Sequence, residues 1–288
     1  MNTIKNISVR VVLLGCLVAL FPVVARAELQ MPPFLVTGHG GVSVPYMNDQ
    51  WNMKVTEEAT GNHTADEALF YLNENTMVNT DDISSSSYGW LGTTAGQTIY
   101  VVPQIRRADT AFFGFNDAGM TETDTAKLAA WEPDDSRVAL LHHDEEESDV
   151  DFDEEAEAWI RIDLLSVQGL NGTAAPGQFS LWTADDENGI IVWMSTAQTP
   201  AEGNSFYLDV EHGHSHVAWG FTESGLYEVT FQASTYLTGD PEMVLTTSPA
   251  TTYYFGVLNA APEPGSLALL CSAAVASLLS LSRRCRNG

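Results

Sequence analysis

Apolar and polar residues alternate with a period of two along much of this chain. In the stretch GLYEVTFQAS, Tyr227, Val229 and Phe231 are separated by single polar residues, which is typical of a strand with one buried face. The stretch QFSLWTADDENGIIVWMST holds two apolar runs, at 179–183 and 190–194, joined by the turn-forming residues DDENG. This second pattern predicts a β-hairpin.

Other short runs rich in β-branched and aromatic residues, QTIYVVPQ, SFYLDV and TTYYFGVL, are bounded by Gly, Pro, Asn and Ser. Helical patterns are limited to TADEALFYLN at 64–73 and TDTAKLAAW at 123–131. Many short strands with frequent turns favour packed antiparallel sheets. We therefore predict an all-β fold, a single-domain antiparallel β-sandwich of jelly-roll or Ig-like type, formed by residues 28–260.

Residues 1–27 have the three parts of a secretory signal peptide. Lys5 and Arg10 form a positive start, an almost wholly apolar stretch follows, and ARA at 25–27 offers small residues for cleavage. We predict that this segment is removed and that the rest of the chain is exported. The alternative is a lipoprotein signal at Cys16 in LLGC, although few apolar residues separate that motif from the last positive charge.

The segment 262–288 also differs from the rest of the chain. It begins with PEP, continues with an apolar run at 267–281, and ends with a basic cluster formed by Arg283, Arg284 and Arg286. The run is shorter than the roughly 20 residues that cross a membrane comfortably, and the arginines would hold its end on the cytoplasmic side. The residues alone indicate a marginal tail anchor or a sorting signal.

The order of Pro262, Glu263 and Pro264, an apolar run and terminal arginines resembles the PEP-CTERM sorting signal of Gram-negative bacteria. The resemblance implies transient recognition by an exosortase-type membrane protease. It also implies removal of the tail and release of the protein to the cell surface or extracellular matrix. Contact with a membrane would then occur only through this segment, before processing.

Cysteine usage and charge narrow the chemistry of the exported region. All three cysteines, Cys16, Cys271 and Cys285, lie in the two terminal segments, which excludes disulfides and thiolate metal sites between them. The formal net charge is −26, and six of the twelve basic residues also lie in the terminal segments. Such an acidic surface repels nucleic acid and anionic lipid, and it attracts cations.

Three of the seven histidines occur together in EHGHSHVAWGF, as His212, His214 and His216. Alternate side chains of a strand share a face, so an extended conformation would direct these imidazoles to one side. The apolar residues of the other face (Val217, Trp219 and Phe221) would enter the core, where we expect them to be structural. A His-x-His pair on a strand can place two nitrogens on one Zn²⁺ ion, or on another divalent metal.

A third ligand has to come from elsewhere in the chain. His39 in VTGHGG is one candidate, His142 or His143 in LHHDEEE is another, and an acidic side chain is a third. The alternative without a metal is that these strand histidines only form hydrogen bonds to backbone or carboxylate groups.

The same stretch carries a second resemblance. HSHVAWGFTESGLYEVTF is similar to the signature of the choice-of-anchor M family, also called the actinobacterial surface-anchored protein domain. TGH at 37–39, AGQTIYVVPQ, FFGFNDAGM and PGQFSLWTADDENG resemble further family segments in the same order, so the similarity spans roughly residues 34–235. The resemblance implies that the protein is a surface module. It also implies a role in metal handling, because actinobacterial members of the family are associated with metal-uptake transporters.

The chain departs from the family pattern at three points. Gly41 stands where the family has an acidic residue two places after the opening histidine, and the early His-rich strand is replaced by WNMKVTEE, which has no histidine. His212 lies outside the pattern. Compared with the family, the resemblance therefore implies a metal site that is reduced or lost, with His214, His216 and His39 as the remaining candidate ligands.

A calcium site is a weaker prediction. Asp149, Asp151 and Asp153 have the spacing of an EF-hand loop, but Glu154 replaces its glycine and Ile160 replaces its final glutamate. A regular EF-hand is thereby excluded, and a solvated acidic loop is the simpler interpretation.

These features predict an exported surface or matrix protein that acts by binding or structure and is not an enzyme. No G-x-S-x-G, H-E-x-x-H or phosphate-binding glycine motif is present in the sequence. An extracellular polysaccharide or another surface molecule is the expected partner. The alternatives are a structural or adhesive matrix protein without a metal site, and a carbohydrate-active enzyme, since the many carboxylates permit a glycosidase pair.

Overall fold

The computed structural model describes residues 32–80, 88–141, 158–185, 189–239 and 245–258. All of these residues belong to one compact unit. The predicted signal peptide, the sorting segment, the histidines at 142 and 143 and the acidic EF-hand-like stretch lie outside the described residues, and the predictions about them stay predictions.

Within the described ranges the chain forms short strands almost throughout. In chain order the strands are β1 (Phe34–Val36), β2 (His39–Ser43), β3 (Tyr46–Met47), β4 (Gln50–Trp51), β5 (Lys54–Glu57), β6 (Gly61–His63), β7 (Ala68–Leu72), β8 (Met77–Asn79), β9 (Thr98–Val102), β10 (Phe112–Asn116), β11 (Trp159–Gly169), β12 (Phe179–Asp185), β13 (Gly189–Ser195), β14 (Ser205–Asp209), β15 (His214–His216), β16 (Ala218–Phe221), β17 (Gly225–Tyr236), β18 (Leu245–Thr247) and β19 (Thr251–Val257). Helical structure consists of one α-helical turn, α1 (Glu122–Thr125), and 3₁₀ turns at Glu74–Thr76, Gly89–Leu91, Val138–Leu140 and Leu170–Gly172.

The strands form three larger sheets. One has seven strands in the order β1-β7-β19-β17-β11-β14, with β18 paired to β17. Two have five strands each, in the orders β15-β10-β2-β5-β6 and β13-β12-β16-β9-β8. Most neighbouring strands are antiparallel, but β1–β7, β19–β7 and β10–β2 are parallel pairs. We call the sheet that contains β2, β10 and β15 the His sheet.

The core lies between the seven-stranded sheet and the two five-stranded sheets. From the His sheet, Phe113 packs edge-on against Phe70 and Phe115 packs edge-on against Phe231, at ring-centroid distances of 4.7 and 5.6 Å. From the other five-stranded sheet, Trp219 stacks on Phe255 at 5.4 Å. The all-β sandwich-like fold is therefore confirmed, with mixed rather than purely antiparallel sheets.

The clearest sequence patterns correspond to observed elements. The alternating stretch is β17, in which Tyr227, Val229 and Phe231 are fully buried. The predicted hairpin is the antiparallel pair β12–β13. Periodicity identifies these elements because each has one face in the core and a local turn or a neighbouring strand as its partner.

Both helix predictions need correction. Residues 64–73 contain strand β7, in which all side chains but that of Tyr71 are buried and which pairs with strands on both sides. A strand buried on both faces shows a continuous apolar run that periodicity does not distinguish from a buried helix. In 123–131, only the first turn is helical, and then Leu128 and Ala130 form β-bridges to Leu237 and Ala158.

Among the residues that the structure describes, no helix has the length and apolar character needed to span a membrane.

Candidate metal centre

Three neighbouring strands of the His sheet bring the candidate ligands together. Strand β10 is the central one: Phe112 is paired with His39 on the parallel strand β2, and Gly114 is paired with His216 on the antiparallel strand β15. Paired and alternate residues of a sheet direct their side chains to the same face. His39, His214 and His216 therefore share the face that points away from the core.

The three imidazoles form a compact group, the His cluster (His39, His214 and His216). One ring nitrogen of each residue lies within 4.8 Å of the corresponding nitrogen of the other two. The ring centroids of His214 and His216 are 4.2 Å apart, and His39 lies 5.4 Å from the first and 5.2 Å from the second. The sequence prediction of His39 as the partner of the His-x-His pair agrees with this geometry.

Phe112 packs against two members of the His cluster. Its ring stacks on that of His216 with a centroid distance of 3.6 Å and an interplanar angle of 19°, and it also contacts His39 at 5.3 Å. Because Phe112 is itself almost completely buried, it holds the imidazole of His216 against the sheet.

Two glycines allow the strands and rings to approach. A Cβ atom at Gly114 would lie 2.4 Å from the carbonyl oxygen of Ser215 and 3.2 Å from Nδ1 of His216. At Gly41, a Cβ atom would lie 2.7 Å from the carbonyl oxygen of Gly114. A side chain larger than that of glycine therefore has no room at position 41 in this sheet. No acidic ligand comes from the position where the resembled family pattern has one.

His216 is a partly buried member of the cluster. Burial lowers the pKa of its imidazole to about 3, and the neighbouring rings of His214 and His39 add to the lowering because protonated imidazoles repel one another. The ring is therefore neutral at physiological pH, which is the form that coordinates a metal. Its Nδ1 atom is buried and makes no hydrogen bond of standard geometry to a described residue.

The carboxylate of Glu58 lies beside the third histidine. Its Oε2 atom lies 3.4 Å from Nδ1 of His39 and 3.4 Å from Nη2 of Arg106. A carboxylate beside one ring nitrogen of a metal-binding histidine fixes the ring and leaves the other nitrogen for the metal. Glu58 follows β5 directly, so the stretch WNMKVTEE, which lacks histidine, supplies a carboxylate next to His39.

The apolar residues of the His-rich stretch are structural, as predicted. Val217, Trp219 and Phe221 are fully buried. The indole Nε1 of Trp219 donates a hydrogen bond to the carbonyl oxygen of Phe113, at 3.3 Å. This bond ties β16 to β10 beneath the His cluster and fixes the exit of β15.

Two other histidines lie apart from the cluster. His212 is in the turn before β15, where its Nδ1 atom lies 2.5 Å from Oδ2 of the buried Asp209. His63 stacks on Phe34 at 4.2 Å, and its Nε2 atom lies 2.6 Å from Oγ1 of Thr60. His212, which lies outside the family pattern, is therefore also outside the His cluster.

Sequence reasoning missed Glu58, Arg106, Phe112 and Gly114. The adjacent arginines at 106 and 107 carried a usable signal, since positive charges are scarce in so acidic a chain. The other three residues carried none, because their roles depend on which strands pair across the sheet.

Comparison of the chain with models of protein families, with curated proteins and with solved structures found no match.

Proposed function

We propose that this protein is an exported surface or extracellular-matrix module that binds one divalent metal ion through His39, His214 and His216. The observation that carries the proposal is the convergence of three imidazole nitrogens within 4.8 Å, from strands on either side of β10. On a tetrahedral zinc ion, two ligand nitrogens lie about 3.3 Å apart. Small rotations of the three side chains, without movement of the strands, would bring the ring nitrogens to this distance.

The chemistry of the cluster favours zinc or another borderline transition metal. Three neutral imidazoles suit Zn, Cu, Ni and Fe, whereas calcium requires six or more oxygen ligands. The carboxylate of Glu58 supports His39 from behind the ring, an arrangement common around zinc histidines. Three protein ligands leave one position of a tetrahedral ion open.

An acidic exterior is consistent with a cation-binding role at the cell surface. The net charge of −26 concentrates cations near the protein at low salt. The predicted signal peptide, the PEP-CTERM-like tail and the resemblance to choice-of-anchor M proteins support export and display. We propose binding as the function, and the carboxylate nearest the cluster, that of Glu58, already lies beside His39 and Arg106.

The test is calorimetric titration of Zn²⁺ into the metal-stripped protein. We expect one equivalent to bind, and we expect His214→Ala to abolish this binding. His214 is the most informative position because its side chain is exposed, so its removal leaves the core intact. His63→Ala is the matched control, since His63 lies on the same sheet outside the cluster and its loss should leave zinc affinity unchanged.

Equal zinc binding by wild type and His214→Ala, or no binding by either, would refute the proposal. The protein would then be better described as a structural or adhesive matrix component. Release of sugars from a polysaccharide would instead support the carbohydrate-active alternative.

A further inference from the structure

A pocket of about 310 Å³ adjoins the His cluster. His39 and Phe112 belong to its wall, and the remaining lining includes Arg106, Arg107 and Thr110. We call it the Arg pocket. His39 is a member of both the cluster and the pocket wall, so the pocket adjoins the proposed metal site through this one histidine.

The charge of this pocket contrasts with the rest of the protein. Only six of the twelve basic residues lie between the terminal segments, and two of them line this pocket. Asp109 also lines the pocket, so the formal charge of its wall is still positive. The two adjacent arginines therefore create a local positive potential that attracts an anion, in a chain whose formal net charge is −26.

The arginines are available to a ligand. Among the described residues, Arg106 makes only an exposed ion pair with Glu58, in which each side chain is 64% exposed, and such pairs contribute little stability. Arg107 makes no ion pair with a described residue. Guanidinium groups bind carboxylate and phosphate oxygens through paired hydrogen bonds.

Thr110 is the third sign of a ligand site. The residue is 9% exposed, and its Oγ1 atom is buried without a hydrogen-bond partner among the described residues. A buried hydroxyl without a partner costs free energy, and such groups are rare in folded proteins. Thr110 belongs to the pocket wall, so a small rotation of its side chain would let an oxygen atom of a bound ligand satisfy this hydroxyl.

We propose that the Arg pocket binds a small oxyanion, with a carboxylate or phosphate group held by Arg106, Arg107 and Thr110. Because His39 belongs to both sites, the positive charge of a bound metal would also attract the anion, a part that rests on the proposed function. The protein would thus take up the metal together with a small anionic ligand, and each would raise the affinity for the other.

The experiment uses the full chain, stripped of metal, with malonate and inorganic phosphate as separate probes. Calorimetry measures the affinity of each anion in the absence and presence of one equivalent of Co²⁺. We expect one-to-one binding that Arg107→Ala weakens about tenfold or more, since it removes a charge-assisted hydrogen bond. Arg161→Ala, which removes an arginine from the seven-stranded sheet, is the matched control and should have no effect.

Thr110→Val separates a ligand role from a structural one. The substitution keeps the shape of the side chain and removes the unpaired hydroxyl, so the thermal stability of the ligand-free protein should be unchanged or higher. Anion affinity should nevertheless fall about fivefold. A fall in both stability and affinity would indicate a structural hydroxyl and count against the pocket as a binding site.

The outcomes distinguish the two proposals. No binding of either probe, or equal binding by wild type and Arg107→Ala, would overturn the oxyanion site. Equal anion affinity with and without bound Co²⁺ would overturn the link between anion and metal. If Co²⁺ does not bind, this link fails, the Zn²⁺ titration decides the metal-centre proposal, and the metal-free titration still decides whether the Arg pocket binds an anion. The tighter of the two probes identifies the carboxylate or the phosphate class.

Discussion

Gly114→Ala tests whether the His cluster depends on the close approach of β10 and β15. The added Cβ atom would lie 2.4 Å from the carbonyl oxygen of Ser215, a distance that Cβ atoms essentially never show. The oxygen belongs to the backbone and cannot rotate away. Strand β15 therefore has to withdraw by about 0.6 Å to reach a 3.0 Å contact.

The cost follows from two opposing terms. Overpacking of a close contact destabilises a protein by about 1–3 kcal/mol, and alanine offsets about 0.4–1 kcal/mol because it restricts the unfolded chain. We expect a net loss of about 1–2 kcal/mol in the free energy of unfolding. For a domain of this size, that loss lowers the Tm by roughly 2–8 °C.

The displacement should also disturb the metal centre. His216 would move with β15, off the ring of Phe112 and away from His39, and a ligand displaced by about 0.5 Å leaves the productive geometry. We expect zinc affinity to fall about tenfold. Because the variant remains folded at room temperature, its small decrease in stability does not account for this loss of zinc affinity.

The assay combines urea unfolding with zinc titration for wild type, Gly114→Ala and Gly89→Ala. Gly89 is the control because a Cβ atom there would meet nothing within 4 Å. If the two variants have the same stability and the same zinc affinity, the close approach at β10 does not position the cluster, and the reasoning is wrong.

Two further predictions concern carboxylates. Glu58→Gln keeps the shape of the side chain but removes the charge beside His39, so zinc affinity should fall about tenfold in a competition titration with a chelator. Asp117→Asn tests a buried acid: burial raises the pKa of the Asp117 carboxyl to about 6, and repulsion by Asp209 adds to the shift. Between about pH 4 and pH 6 the unfolded chain loses this proton while the folded chain keeps it, so stability falls as pH rises. The variant should therefore gain about 1 kcal/mol on wild type from pH 4 to pH 8 in urea unfolding, after the shift is discounted for screening by solvent.

Each of these predictions has a clear contrary result. Unchanged zinc affinity in Glu58→Gln would mean that the carboxylate does not orient His39. A constant stability difference between Asp117→Asn and wild type across this pH range would mean that the carboxyl titrates alike in the folded and unfolded chains.

Local pattern determined the elements that have one buried face. The alternation in β17 and the hairpin β12–β13 could be read directly, because side chains two residues apart experience the same environment. The same rule placed His214 and His216 together and sent Trp219 to the opposite side. It failed for β7, because a strand buried on both faces has no alternation to detect.

What the sequence by itself determined is therefore the all-β class, the pairing of two histidines on one face and the scarcity of positive charge. Only the tertiary structure decided that β10 lies between β2 and β15, which sets His39 beside the pair and places Glu58 and Arg106 behind it. The Arg pocket likewise depends on how a loop packs against the His sheet. Hydrophobic periodicity and composition show which side chains favour burial and which favour solvent. Pairing between distant strands depends instead on how all the apolar faces are buried together. A site assembled from separate strands is therefore visible only in the fold.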